Sequence, residues 1–409
     1  MGLFSGHSRD RYGVIFDIGS GSVLAAIVHS NATQSHPTIV WSFREHVPLR
    51  SVDSMNQTAK AVMTALVNVS LRLDSEGRKA LALYAPGAKL SDLQCGISAP
   101  WSYTVTKTIN YVQDEPFVIT NELIEEFVFT TQQKIEEELR ENESVSDLGL
   151  QIITRTTMDV FANGYRVMEP EGEKASEMAL TQATVVAQKY LINVIEDMRE
   201  KLFPTAKSRK LSFILMLYCI TRDVLSHVND VCLVDITYEA TEIGVVRDGS
   251  LRYCTHTAFG AFSLAREIAA VTNVPLHEAF GYLHSDRPRL FMESLNDAKR
   301  VDIEAIFGAY IERVSELFHE TGDALSIPKK ISLHVPGKTE TLFADLIAQA
   351  AKRATKLDHS LANITDEIYK QNYKRDPNFN TDTLQADSAL FLAAQFFHKQ
   401  THCLIFEYL

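Results

Sequence analysis

Two well-separated segments of this chain share one pattern: an apolar strand that ends in an aspartate, a polar turn, and a return strand. In the first segment, Arg11–Ser22 (RYGVIFDIGSGS), Asp17 is followed by a turn of small residues, which are Gly19, Ser20, Gly21 and Ser22. In the second, Val231–Ile236 (VCLVDI) ends just after Asp235. Either segment alone is also typical of an ordinary β-hairpin. Together they can clasp one polyphosphate from opposite sides, through backbone N–H groups and carboxylates that hold a metal-bound water.

The composition narrows the classes of function. The chain has 409 residues, 45% hydrophobic and 22% charged, as expected of a globular protein with more than one domain. Its net charge of −12 argues against a nucleic-acid partner, because neutralising phosphates requires clustered Lys and Arg. Five widely spaced cysteines without a CxxC pair fit neither a disulfide framework nor a zinc site and indicate a reducing cytosol. The longest apolar run, Phe213–Ile220, is too short for a bilayer, so we expect neither a membrane-spanning nor a secreted protein.

Hydrophobic periodicity predicts a mixed α/β fold. Three β-rich runs come first, at Tyr12–Ile18, Val23–Val28 and Thr38–Phe43. The next segment, Met55–Leu73, has apolar residues at helical spacing. Strands and a helix between residues 86 and 187 indicate a compact module, and the polar, turn-rich segment Asn363–Asp382 predicts a surface loop. Three strands followed by a helix favour a layered α/β architecture.

The order of these segments resembles the actin-like ATPase superfamily, and within it the bacterial FtsA and PilM proteins. Tyr12–Val28, with D-I-G-S-G-S-V, resembles the first phosphate loop of that family, and Cys232–Ile236 resembles the second. Phe117–Ile124 and Met158–Met168 (MDVFANGYRVM) are similar to parts of the small SHS2-type domain that FtsA and PilM insert into their first lobe. The resemblance extends over most of the chain and favours the PilM-like proteins of type IV pilus assembly.

This resemblance implies an α/β, actin-like (ribonuclease H-like) ATPase fold of two lobes with an inserted SHS2-type α+β domain. The implied boundaries are 10–85 and 188–228 for lobe I, 86–187 for the insert, 229–398 for lobe II with a final helix returning toward lobe I, and 399–409 for a C-terminal tail. Ala258–Ile268 is similar to the start of a family helix that reads roughly GG-x-x-I-T-x-x-I. Ile331–Gly337 lies where the family has its adenosine-binding loop.

ATP and Mg2+ are the cofactors that the resemblance implies. The residues it assigns to the nucleotide site are Asp17, Gly19, Ser20, Gly21, Ser22, Asp235, Thr237, Thr241, Gly260 and Gly337. Asp17 and Asp235 are also assigned to the metal, and no catalytic residue is assigned.

The second loop departs from the family pattern. Active members usually have D-x-G-G-G-T there, whereas this chain has Thr237, Tyr238 and Glu239 at the three glycine positions. Glycine lets the backbone approach a phosphate closely, so Tyr238 adds bulk and Glu239 adds negative charge where a triphosphate would lie. Leu24 also replaces a lysine that often follows the first loop in PilM. We therefore expect degenerate ATP binding and at most a weak ATPase.

The resemblance further implies a cytoplasmic scaffold that binds a short N-terminal cytoplasmic segment of an inner-membrane protein and is peripheral at that membrane through this partner. In PilM relatives the segment lies in a groove between lobe I and the insert. Two alternatives stay open: an FtsA-like cell-division scaffold that self-associates into filaments, and an active ATPase whose nucleotide state switches lobe closure. The apolar tail Cys403–Leu409 lacks the basic polar face of an interfacial helix, so we expect it to pack on protein.

Overall fold

The computed structural model describes residues 10–48, 55–141, 149–225, 228–285, 287, 289–321, 327–335, 340–372 and 387–399. Within these ranges the strands form two five-stranded sheets and one four-stranded sheet. The two five-stranded sheets have the same strand order, so the chain contains two lobes of equivalent topology.

The sheet of lobe I places Asp17 near the end of its central strand. It contains β1 (Asp10–Ile18), β2 (Ser22–Asn31), β3 (Thr38–His46), β4 (Asp92–Ile97) and β9 (Lys207–Ser212), in the order β3-β2-β1-β4-β9. β1, β2 and β3 are antiparallel neighbours, whereas β1, β4 and β9 run parallel. Because successive strand residues point to opposite faces, Val14 and Phe16 pack under the helices of lobe I, while Ile15 faces the space between the lobes.

The sheet of lobe II repeats this arrangement around Asp235. It contains β10 (Val231–Ile236), β11 (Thr241–Arg247), β12 (Ser250–Thr257), β13 (Lys330–His334) and β14 (Ser360–Asn363), in the order β12-β11-β10-β13-β14. β10, β11 and β12 are antiparallel, and β10, β13 and β14 are parallel. The two predicted strand–aspartate–turn units are therefore topological equivalents.

Helices cover the outer faces of both sheets. Lobe I carries α1 (Met55–Arg72), a π-helical turn (Leu73–Gly77), α2 (Arg78–Tyr84) and α4 (Lys189–Leu202). Lobe II carries α6 (Ala261–Thr272), α7 (Leu276–Leu283), a 3-10 turn (Leu290–Ser294), α8 (Asp297–Glu320) and α9 (Glu340–Thr355). A further helix, α10 (Ile364–Asn372), packs instead into the hydrophobic core between the two sheets. The surface loop predicted over Asn363–Asp382 is wrong for α10, because Ile364 and Ile368 are buried on its inner face. Within the described ranges, every helix is too short or too polar to cross a bilayer.

The four-stranded sheet forms a separate layer between β4 and β9 in the chain. It contains β5 (Ser102–Val118), β6 (Leu150–Ala162), β7 (Tyr165–Val167) and β8 (Lys174–Gln188), in the antiparallel order β5-β8-β6-β7. Helix α3 (Asn121–Glu141) covers one face and buries Ile124 against this sheet.

The boundary predicted at residue 86 for this insert is wrong. β4 follows residue 86, yet it lies between β1 and β9 in the sheet of lobe I. The physical reason is burial: Leu93, Cys95 and Ile97 belong to the hydrophobic core of lobe I. The inserted sheet begins at Ser102.

Two apolar helices fill the space between the lobes. They are α5 (Phe213–Val224), which contains the longest apolar run, and α11 (Ser388–Lys399). The Ser212 hydroxyl caps α5 by accepting a hydrogen bond from the Leu215 N–H at 3.3 Å. α11 lies so close to β1 that a Cβ at Gly13 would be 2.3 Å from the Phe397 ring. A side chain at residue 13 would therefore displace the Phe397 ring.

Candidate functional site

The two strand–aspartate–turn units face each other across a cleft between the lobes. A cavity of about 160 Å³ lies in the cleft. The predicted site residues that line it are Asp17, Gly19, Ser22, Asp235 and Thr237. It is also lined by residues that were not predicted, notably Arg44, His334 and Asp387. The carboxyl ends of β1 and β10 thus meet at one site, as is common for ligand sites in α/β proteins.

Asp17 is held in an ion-pair cluster around Arg44. Arg44 Nη2 contacts Asp17 Oδ2 at 2.9 Å, and Arg44 Nη1 donates to Ser22 Oγ at 2.8 Å. The same guanidinium contacts Asp387 through Nε at 2.7 Å and Nη2 at 2.9 Å. Burial raises the pKa of Asp17, and Arg44 opposes that rise. Burial disfavours the charge of Arg44, but the two carboxylates raise its pKa above the usual value.

Asp235 is paired with a histidine instead. Its Oδ1 lies 2.7 Å from His334 Nδ1, and His334 Nε2 lies 3.0 Å from Ser388 Oγ. Both contacts are satisfied when Nδ1 donates to Asp235 and Nε2 accepts from the Ser388 hydroxyl. The second oxygen of Asp235, Oδ2, is buried and has no hydrogen-bond partner within the described residues.

The two turns contact each other directly. Ser20 Oγ lies 3.3 Å from Thr237 Oγ1, and the Glu239 N–H donates to Ser20 Oγ at 2.9 Å. Thr237 Oγ1 also donates to the Ala99 carbonyl at 3.2 Å. A phosphate bound between the turns would need these same hydroxyl and amide groups. In this arrangement they bind one another.

The side chain of Tyr238 lies on the first turn. A Cβ added at Gly21 would be 2.3 Å from Tyr238 Cγ, so the ring covers this glycine at close range. On its other side the ring contacts Phe262 and Phe280, with centroid distances of 4.5 and 5.7 Å. The bulk expected of Tyr238 is therefore located against the first loop, within an aromatic cluster.

Glu239 does not point its charge into the cavity. Its carboxylate forms a salt bridge with Arg266 on α6, where Arg266 Nη1 lies 2.9 Å from Glu239 Oε1. The expectation that Glu239 directs negative charge toward a triphosphate is thus corrected. Arg266 neutralises the carboxylate of Glu239 from α6, the helix that begins against the second turn.

The remaining predicted residues lie outside the cavity lining. A Cβ at Gly260 would meet the Thr237 carbonyl oxygen at 2.4 Å, so Gly260 packs on the second turn and lets α6 begin there. The first amide groups of α6, at Ala261 and Phe262, donate to that turn's carbonyls at 3.0 and 2.7 Å. Thr241 Oγ1 is buried and donates to the Phe259 carbonyl at 2.8 Å. Gly337 lies outside the described residues.

The residues of the cleft do not fit Mg-ATP in this arrangement. The described part of the chain contains no group of three or more His, Cys, Asp or Glu side chains that could hold a metal ion. Asp17 is paired with Arg44, one oxygen of Asp235 is paired with His334, and the Glu239 amide of the second turn donates to Ser20. The cavity of about 160 Å³ is also smaller than the roughly 300–1,000 Å³ of most small-molecule sites.

Sequence reasoning missed Arg44, His334 and Asp387. The available signal was a charged or ionisable residue within an apolar strand, since Arg44 follows Phe43 on β3 and His334 ends β13. Such residues are rarely buried unless paired. Their partners could not be read from the local sequence.

Comparison with known proteins supports the fold. No family model and no curated protein matches the chain. The structure of the PilM–PilN type IV pilus biogenesis complex matches with a TM-score of 0.57 and 12% identity, covering 94% of this chain and 98% of that one. The structure of EutJ from Carboxydothermus hydrogenoformans matches with a TM-score of 0.42 and 11% identity, covering 88% of this chain and 87% of that one. A Bacteroides thetaiotaomicron protein with an actin-like ATPase fold matches with a TM-score of 0.40 and 12% identity, covering 95% of this chain and 99% of that one. The predicted fold is confirmed: the chain has an actin-like ATPase fold of the PilM type in a divergent sequence.

Proposed function

We propose that this protein is a PilM-like scaffold that binds an inner-membrane protein from the cytoplasmic side and does not turn over ATP. The observation that carries the proposal is the direct contact between the two turns of the cleft, through Ser20, Thr237 and Glu239. The fold supports a scaffold of the type IV pilus machinery, because PilM was solved in complex with PilN.

The cleft geometry favours a scaffold over an enzyme. Hydrolysis of a phosphoanhydride needs a metal and an oriented water near developing negative charge. Here Asp17 is bound to Arg44, and Asp235 is bound to His334. A metal-bound water would therefore meet Asp17 already neutralised by Arg44, and a single oxygen of Asp235, Oδ2, without a hydrogen-bond partner within the described residues.

The junction between the insert and lobe I is the proposed docking groove for the partner's short N-terminal segment. At this junction the Thr154 hydroxyl on β6 donates to the Lys210 carbonyl on β9. On the insert side, Arg155 Nη2 lies 2.7 Å from Glu136 Oε1 on α3, and both side chains are partly exposed. On the lobe I side, Lys210 Nζ pairs with Glu196 on α4. Charged side chains therefore lie on both the insert side and the lobe I side of this junction.

Buried polar groups also lie near this junction. Arg155 pairs with Thr184 across β6 and β8, and Thr157 pairs with Gln182, so these side chains share one face of the sheet. This face lies under α3, because Arg155 reaches Glu136. Oxygens of Thr157, Gln182 and Thr184 have no hydrogen-bond partner within the described residues.

The test is co-purification from membranes solubilised in mild detergent. We expect the tagged protein to retain a bitopic membrane protein, and a synthetic peptide of that protein's cytoplasmic N-terminus to bind in calorimetry with one-to-one stoichiometry. Arg155→Glu should weaken binding of the peptide. Arg289→Glu is the matched control, because Arg289 is a surface arginine of lobe II that also pairs with carboxylates, those of Glu304 and Asp345.

Two results would contradict the proposal. One is a peptide that fails to bind the purified protein. The other is recovery of the C-terminal tail of a tubulin-like polymer as the retained partner, which would favour the division alternative.

A further inference from the structure

We infer that the protein carries an internal latch that holds its lobes closed in place of nucleotide and metal. The latch consists of Arg44, Tyr238, His334, Asp387 and Ser388. The inference rests on the proposed absence of ATP turnover but goes beyond it, since it assigns one protein group to replace the metal cation and another to replace the phosphate. It predicts one lobe arrangement, independent of nucleotide.

The guanidinium of Arg44 replaces the metal cation beside Asp17. A metal in this fold would neutralise the carboxylate of Asp17, and the guanidinium does so with a contact of 2.9 Å. Its other donors reach Ser22 and both oxygens of Asp387. A two-pronged arginine–carboxylate pair is among the stronger charge-assisted contacts in proteins. Four of the five N–H donors of Arg44 are thus committed to protein groups.

The side chain of Tyr238 replaces the phosphate as the group that joins the two turns. Its ring covers Gly21 on the first turn, and Ser20 accepts the Glu239 N–H of the second turn. These contacts join lobe I directly to lobe II. The aromatic contact with Phe262, at 4.5 Å, fixes the ring from the lobe II side.

The start of α11 ties both lobes together. Asp387 contacts Arg44 of lobe I, and the neighbouring Ser388 contacts His334 of lobe II at 3.0 Å. Asp387 also caps its own helix, because its Oδ1 accepts the Leu390 N–H at 2.9 Å. Opening the cleft would therefore break either the ion pair with Arg44 or the hydrogen bond with His334.

The experiment measures the distance between the lobes by energy transfer. Fluorophores are attached at Leu83→Cys on α2 and Val301→Cys on α8, where the native side chains are 87% and 68% exposed. Cys254 and Cys403 are replaced by serine, because the other cysteines are buried. We expect a single transfer efficiency that millimolar Mg-ATP does not change. Arg44→Ala combined with Tyr238→Gly should lower the efficiency.

Two milder variants keep the inference testable if the double variant does not fold. Ser20→Ala and Ser388→Ala each remove one hydroxyl of an interlobe contact and should broaden the distance distribution toward longer distances. The inference is overturned if Mg-ATP shifts the efficiency of the unaltered protein, or if folded latch variants keep its distribution. Partner binding is measured separately by the peptide titration, so failure of the latch and failure of the scaffold proposal give different results.

Discussion

Arg44 on β3 and Asp387 at the start of α11 form a two-pronged ion pair, although 343 positions separate them in the sequence. The Nε–Oδ2 and Nη2–Oδ1 distances are 2.7 and 2.9 Å. The same guanidinium contacts Asp17, to which the sequence resemblance assigns a metal-binding role. One arginine therefore connects the first phosphate loop to the last helix of the described chain.

Removing Arg44 should destabilise the protein strongly. Arg44→Ala leaves Asp17 and Asp387 without their common partner, and breaking a buried pair in this way costs about 3–5 kcal/mol. Urea unfolding monitored by circular dichroism measures the loss. Arg44→Lys is the control, because it keeps the charge but cannot make the two-pronged contact, so it should lose less. Equal stabilities of Arg44→Ala and the unaltered protein would refute the prediction.

The sequence predicted the two aspartates but not their partners, for a physical reason. Asp17 and Asp235 each end an apolar strand before a turn, and that pattern is local. Asp387 follows no such pattern, and its contact with Arg44 depends on the folded position of α11. The closure of the cleft was also beyond local reasoning, since it requires Tyr238 of one lobe to cover Gly21 of the other.

β4 was missed because its composition is atypical. Interior parallel strands are usually rich in Val and Ile, whereas Asp92–Ile97 reads DLQCGI, with a single β-branched residue. Only the pairing with β1 and β9 identifies it as part of lobe I. Strands with continuous apolar runs, such as β10, were predicted correctly.

Glu242 should make stability depend on pH. Burial, with a smaller contribution from Asp235, raises the pKa of Glu242 well above its usual value. The folded protein therefore keeps a proton that the unfolded chain releases, so this contribution to stability is full at low pH and is lost as pH rises through the folded pKa. Glu242→Gln should gain stability relative to the unaltered protein by up to about 1.4 kcal/mol per pH unit above the ordinary glutamate pKa. Urea unfolding from pH 5 to 8 measures the difference in stability between Glu242→Gln and the unaltered protein. A difference that does not change with pH would contradict the prediction.

Gly260 should be intolerant of any side chain. An added Cβ would lie 2.4 Å from the Thr237 carbonyl oxygen and 2.6 Å from the Ala240 nitrogen, and backbone atoms cannot move aside cheaply. Gly260→Ala should therefore cost at least about 1–3 kcal/mol, as overpacking does. Gly281→Ala on α7 is the matched control, because a Cβ there meets nothing within 4 Å and alanine favours a helix. The thermal unfolding temperature should fall for Gly260→Ala and rise for Gly281→Ala. A shift in the same direction for both variants would contradict the predicted contact at Gly260.

Gly21 and Tyr238 should be energetically coupled. Gly21→Ala introduces a Cβ 2.3 Å from the tyrosine ring and should destabilise the otherwise unaltered protein. In a Tyr238→Ala background the ring is absent, so the same change should cost less. A double-mutant cycle in urea should give a coupling of about 0.5–3 kcal/mol, the range for residues in contact. Additive effects would mean that the ring does not cover this glycine.

Calorimetric titration of Mg-ATP into the purified protein tests the central claim most directly. Because the turns bind each other, and because Arg44 contacts Asp17 and His334 contacts Asp235, we expect no saturable heat up to high micromolar nucleotide from protein that shows a cooperative unfolding transition. A one-to-one isotherm with micromolar affinity, weakened by Asp17→Asn or Asp235→Asn, would show that the cleft opens to nucleotide and would contradict the account.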